Sequence, residues 1–82
     1  MSTQVEIGHY ILNAQQQDPA TGHNYEIHNA DTCPHLPAEV HRFTLGHFNQ
    51  CHLALEEAKR RVPQWADRID GCAWCCPRCH TN

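Results

Sequence analysis

His9-Tyr10-Ile11-Leu12-Asn13 sets an apolar run between polar ends and predicts a short strand, with Tyr10 and Leu12 on one face at a period of two. Asn24-Tyr25-Glu26-Ile27-His28 alternates polar and apolar residues. Between them, Asp18-Pro19-Ala20-Thr21-Gly22 reads as a turn, because Pro fixes φ and Gly supplies a positive-φ position. The two strands are therefore expected to pair as an antiparallel hairpin. The stretch Asn29 to Pro37 is turn-rich, and Pro34 and Pro37 exclude a helix interior. His41-Arg42-Phe43-Thr44-Leu45 is expected to form a third strand that ends at Gly46.

From Asn49 the period becomes helical. Cys51, Ala54, Leu55, Ala58 and Val62 recur at three- and four-residue intervals as one apolar stripe, while Glu56, Glu57, Lys59 and Arg60 take the other face. Asn49 is the expected N-cap, and Pro63 ends the helix. Pro63 to Ile69 reads as a short turn with Trp65 and Ile69 closing the core, and Asp70-Gly71 leads into a cysteine-rich end. No internal repeat or linker is evident. The expected fold class is a small zinc-stapled α+β domain: an N-terminal β-hairpin, a third strand, one main α-helix and a C-terminal cysteine turn. Residues 1–8 are expected as a flexible N-terminus and 9–82 as a single zinc-binding domain.

Composition sharpens this picture. Of 82 residues, 40% are apolar, and that share includes the six cysteines; mean hydropathy is −0.66. A chain this short buries little surface and usually needs a disulfide, a metal or a partner to hold it. A structural zinc site can supply on the order of 10–16 kcal/mol of folding free energy. The net charge of −3 gives no global basic field for phosphate backbones. The one basic cluster, Lys59-Arg60-Arg61, sits where it complements a helix dipole. No apolar run approaches the ~20 residues of a membrane span, and Met1 to Glu6 lacks a signal peptide's basic start and apolar stretch. The chain thus reads as a cytoplasmic monomer with no membrane partner, and in a reducing compartment clustered Cys and His argue for metal over disulfides.

Four of the cysteines form two abutting C-x2-C units, Cys72/Cys75 and Cys76/Cys79. Two thiolates at that spacing supply half of a tetrahedral zinc site. Cys75 and Cys76 are adjacent, and their side chains are expected to diverge, which argues against a four-thiolate site from this run alone. Gly71 suits a tight entry to Cys72/Cys75. The missing half is expected from His28, at the end of the second strand, and Cys33 after a four-residue turn, an H-x4-C pair. His35 competes with His28, although Cys33-Pro34-His35 is tight for chelating one ion. Cys51 reads as a core residue of the helix stripe. His9, His23, His41, His47 and His52 have no Cys at ligand spacing. The expected zinc ligands are His28, Cys33, Cys72 and Cys75; a second zinc would need Cys51 or His80 as well.

The order Tyr10, Asn13, Gln16, Gly22, Glu26-Ile27-His28, Cys33, Leu36-Pro37, Leu45-Gly46, Phe48, Cys51, Ala54, Ala58-Lys59, Gly71-Cys72, Cys75, Cys79-His80-Thr81 resembles a group of short bacterial zinc-binding proteins without an assigned function. More distantly, the layout is similar to the N-terminal metal domain of the Ada DNA-repair protein. That domain has a hairpin, a first ligand pair across a short turn, a strand, a helix and a final C-x2-C-x-P, which Cys72-Ala73-Trp74-Cys75-Cys76-Pro77 reproduces. The likeness implies zinc on His28, Cys33, Cys72 and Cys75. Here the first pair is spaced more widely, and the chain carries no evident basic DNA-facing surface.

These readings point to a small protein with a mainly structural zinc, working through a surface for a macromolecular partner, a protein rather than a nucleic acid. The alternatives are Ada-like alkyl acceptance on a zinc thiolate, or a thiol redox or metal-handling role for Cys51, Cys76 and Cys79. A metalloenzyme is the least expected: no H-E-x-x-H motif occurs, and Glu26 is expected to point away from the side of His28 that faces the site.

Overall fold

Backbone hydrogen bonds join four strands in the order β3-β1-β2-β4, where β1 is Gly8–Asn13, β2 Tyr25–Asn29, β3 Arg42–Phe48 and β4 Ile69–Gly71. The structure is a computed structural model that describes residues 6–15 and 25–80. β1 pairs antiparallel with β2, Leu12 opposite Ile27 and Ile11 opposite His28, so the expected hairpin pairing is present. The turn assigned to Asp18–Gly22, residues 1–5 of the N-terminus expected to be flexible over 1–8, and His23 lie outside the described residues.

The third strand runs past its expected end. Opposite β1, Tyr10 pairs with Gly46 and Ile11 with Thr44, so Leu45 is an extra residue in the ladder. Gly46 carries the bulge at φ +123°, a conformation open to glycine at no steric cost. The glycine therefore bends the strand instead of terminating it, and Leu45 is left buried. β4 was not expected as a strand. It pairs parallel to β2, Tyr25 opposite Ile69 and Ile27 opposite Gly71, and delivers the chain directly to Cys72.

The helix α1 spans Cys51–Arg61 and buries Cys51, Ala54 and Ala58, with Leu55 and Val62 packed beside them, as the stripe predicts. These residues share one core with Tyr10, Leu12, Ile27, Leu45 and Ile69. Asn49 is not the N-cap. Gln50 holds that position and makes no side-chain cap. The acceptor comes from a distant part of the chain: the Glu6 carboxylate takes the Cys51 N–H at 3.0 Å and pairs with Arg78 at 3.2 Å. A carboxylate there satisfies one of the helix's orphan N–H groups and complements its dipole. The Tyr10 hydroxyl donates to the Glu6 carbonyl, so the segment before β1 is tied down from residue 6. After Val62, a 3-10 turn over Pro63–Arg68 stacks Trp65 on Tyr25, ring centroids 3.9 Å apart and planes 3° from parallel. Four strands and one main helix make the fold α+β. Among the described residues, no helix is long and apolar enough to cross a membrane.

Candidate metal centre

Three separated segments converge beside the end of β2. β2 itself supplies His28, which is 3% exposed. The chain then turns back, with the Cys33 N–H donating to the Asn29 carbonyl at 2.9 Å, and this brings the Cys33 thiol under the strand end. The third segment leaves β4: the Cys72 N–H donates to the Ile27 carbonyl at 3.1 Å, and the Cys76 N–H closes the turn on the Cys72 carbonyl at 2.8 Å. Cys72 and Cys75 thereby point inward together.

The donor atoms of His28, Cys33, Cys72 and Cys75 all lie within 4.8 Å of one another, and all four residues are buried. Around a tetrahedral zinc with Zn–S near 2.3 Å, a sulfur–sulfur edge is about 3.8 Å and a sulfur–imidazole edge about 3.6 Å. The Cys33 and Cys72 sulfurs are 3.9 Å apart, and His28 Nδ1 lies 3.5 Å from the Cys33 sulfur. The group is therefore suited to hold a metal ion, and it unites the four residues expected from the sequence.

Backbone N–H groups supply the electrostatics that thiolates require. Asn29 N–H donates to the Cys75 sulfur at 3.3 Å, His35 N–H to that of Cys33 at 3.4 Å, and Trp74 N–H to that of Cys72 at 3.4 Å. Without an ion the thiols resist ionisation. Cys33 is pushed up by burial. Cys72 rises to about 11 through its hydrogen bond with Cys75 and through burial. Cys75 is also raised: its contact with Cys72 pulls it down, but the Cys76 thiol and burial outweigh that pull. A divalent cation held by these four residues would supply the missing counter-charge.

His35 is outside the group. Its N–H is spent on the Cys33 sulfur, and its ring turns outward to Trp74, centroids 4.8 Å apart. His80 is also elsewhere, its Nδ1 2.9 Å from the Gly71 carbonyl and 3.3 Å from the Asp70 carboxylate. The other described histidines, His9, His41, His47 and His52, are likewise not among the clustered donors.

Two expectations are corrected here. Glu26 does not point away from His28: strand residues two apart share a face, and the Glu26 carboxylate comes within 4.0 Å of His28 Nε2. Nor do Cys75 and Cys76 diverge, because Cys76 begins a new turn over Pro77–Cys79 that folds its sulfur back to 3.6 Å from that of Cys75. Two further features escaped the sequence reading. Cys51 is bonded to Cys79 in a disulfide, whose Cα atoms are 6.5 Å apart. Gly71 serves close packing as well as entry to the turn, since a Cβ there would lie 2.6 Å from that of Cys79 and 2.8 Å from the Cys76 carbonyl oxygen.

Beside the cluster opens a cleft of about 420 Å³ lined by Asn13, Glu26, His28, His35, Cys72 and Trp74, among others. Trp74 stands at its edge 70% exposed. Comparison of the chain with protein-family models, with curated proteins and with solved structures found no match.

Proposed function

We propose that this is a small zinc-binding protein whose ion is mainly structural, and that it acts by presenting the surface beside the ion to a macromolecular partner. The observation that carries this reading is the closure of the donor set. Four buried donors come from three segments, which leaves an ion no open position for substrate and makes it a cross-link between β2, the following loop and the C-terminal turn. Three thiolates and one imidazole suit zinc among the common divalent ions. The exposed Trp74 ring beside the cleft is the kind of aromatic anchor that protein interfaces use, and the net charge of −3 disfavours a nucleic acid there. Four of the six cysteines are outside any disulfide, which suits a reducing, cytoplasmic setting, and there the Cys51–Cys79 bond would be open to reduction.

The test is metal removal. Native mass spectrometry should find zinc bound, and a strong chelator should abolish the far-UV circular dichroism of the fold together with its cooperative thermal transition. A chain that keeps its transition after losing the ion would refute a structural role.

One observation favours a second reading, alkyl transfer to a zinc thiolate of the kind suggested by the Ada likeness: Cys72 borders the cleft. A small methyl donor should then add mass to Cys72 in the zinc-loaded protein. An unchanged mass after prolonged exposure removes this reading.

A further inference from the structure

The cluster described above uses three of the six cysteines. The others, Cys51, Cys76 and Cys79, are 2%, 1% and 6% exposed, and Cys76 adjoins the cluster through Cys75. Cys51 and Cys79 are joined as a disulfide, and Cys76 is a free thiol. The Cys76 sulfur lies 3.6 Å from that of Cys75, close to the edge of about 3.8 Å that two thiolates span on one tetrahedral zinc. It is comparable with the 3.9 Å edge between Cys33 and Cys72 in the first centre. Cys76 and Cys79 form a C-x2-C turn of their own, closed by the Cys79 N–H on the Cys76 carbonyl at 2.9 Å. The absence of a side chain at Gly71 lets this turn seat against β4. Cys51, at the start of α1, meets the turn from the other side through Cys79.

We propose that reduction of the Cys51–Cys79 disulfide opens a second metal site, in which Cys51, Cys76 and Cys79 bind a divalent zinc-class ion and Cys75 bridges it to the first. The proposal rests on the first site only through Cys75. A dithiol reductant gives two electrons to the Sγ–Sγ bond and leaves as its own disulfide; its two protons pass to Cys51 and Cys79. Zn2+ then displaces one proton each from Cys51, Cys76 and Cys79 to the buffer. Cys75 is already a thiolate on the first ion, so the second ion completes a tetrahedron of four sulfurs. Two Zn2+ on six thiolates and one imidazole leave a formal charge of −2. A monovalent copper ion at the second site would leave −3 in the same buried space, so the charge balance favours a divalent ion. The burial of all three sulfurs also fits a closed metal site better than disulfide exchange with a bulky protein partner.

The experiment is native mass spectrometry of the full chain, loaded with Zn2+ and freed of excess, prepared oxidised or under a phosphine reductant. The expected result is one zinc per oxidised chain and two per reduced chain, falling to one in reduced Cys76→Ser. One zinc in both redox states overturns the second site and leaves the first standing. No zinc in either state overturns both. A second ion held equally by reduced Cys76→Ser also overturns the proposal. Because that variant could misfold, the reduced wild-type protein is in addition treated with iodoacetamide. With both sites filled, Cys51, Cys76 and Cys79 should all resist alkylation, and their joint modification in the zinc-loaded protein refutes the second site.

Discussion

The Glu26 carboxylate lies 4.0 Å from Nε2 of His28, on the same face of one strand. His28 turns Nδ1 toward the Cys33 sulfur, which leaves Nε2 buried without a hydrogen-bond partner and with Glu26 as its neighbouring anion. A histidine that ligates metal through one nitrogen is commonly oriented by a carboxylate at the other, and loss of that carboxylate costs about 10–100-fold in metal affinity. Glu26→Ala should therefore weaken zinc binding by about tenfold, the lower end, since the separation exceeds a hydrogen bond. Competition with a chromophoric chelator measures it. Unchanged affinity would show that the pair is only a strand-face neighbourhood.

Gly71 offers a test of how tightly the cysteine turns are built. The Cβ of an alanine at this position would come 2.6 Å from the Cys79 Cβ and 2.8 Å from the Cys76 carbonyl oxygen, and a backbone oxygen yields less readily than a side-chain tip. Overpacking of this kind costs about 1–3 kcal/mol. Gly71→Ala should lower the melting temperature by about 10 °C, at about 4–8 °C per kcal/mol for a domain of this size. Gly46→Ala makes the control: its site is spacious, so its penalty comes from the φ of +123° alone.

How much of this was legible in the chain depends on the distance over which each feature is encoded. The first centre was legible because its halves are local: Cys72 and Cys75 share one turn, and His28 and Cys33 share another. The α1 stripe was legible through its period. β4 was not, because three residues paired parallel to β2 carry neither alternation nor a turn signal. The N-terminal acceptor of α1 was equally hidden, since Glu6 reaches Cys51 across 45 positions. The proximity of Cys76 to Cys75 follows from the 3-10 turn at Pro77, and adjacency alone suggested the opposite. Cys51 looked like a core residue, and it is one; its bond to Cys79 depends on how the C-terminal turn docks on the helix.

The raised thiols set opposite pH dependences for the metal-free and metal-loaded protein. In the absence of metal, the folded state holds the Cys72 proton more tightly than the unfolded chain, about 11 against an ordinary 9.0. That contribution to stability is complete below pH 9 and is lost as the pH rises from about 9 to about 11. Any fold that survives chelation should accordingly be lost across this window, which far-UV circular dichroism of the metal-free chain follows. Zinc held by this group would take the thiolates, so loading should expel three protons, and apparent affinity should fall about a thousandfold for each pH unit lost below neutrality. Calorimetry in buffers of different ionisation enthalpy counts the protons. A count near zero would mean that the three thiols do not ligate.

The two tryptophans should separate stability from recognition. Trp65 lies flat on Tyr25 and joins the turn after α1 to the edge of the sheet where β4 begins. A stacked aromatic pair contributes about 0.5–1.5 kcal/mol beyond the area it buries. With its half-buried surface included, Trp65→Ala should cost about 2 kcal/mol and depress thermal stability without altering zinc stoichiometry. Trp74 is 70% exposed and touches the His35 ring, so Trp74→Ala should shift stability by less than about 0.5 kcal/mol. If the cleft beside the metal is the docking surface, Trp74→Ala should instead abolish capture of whatever protein the wild-type chain retains, while Trp65→Ala, tested below its melting point, keeps it. Equal capture by both variants would move the partner surface away from the cleft.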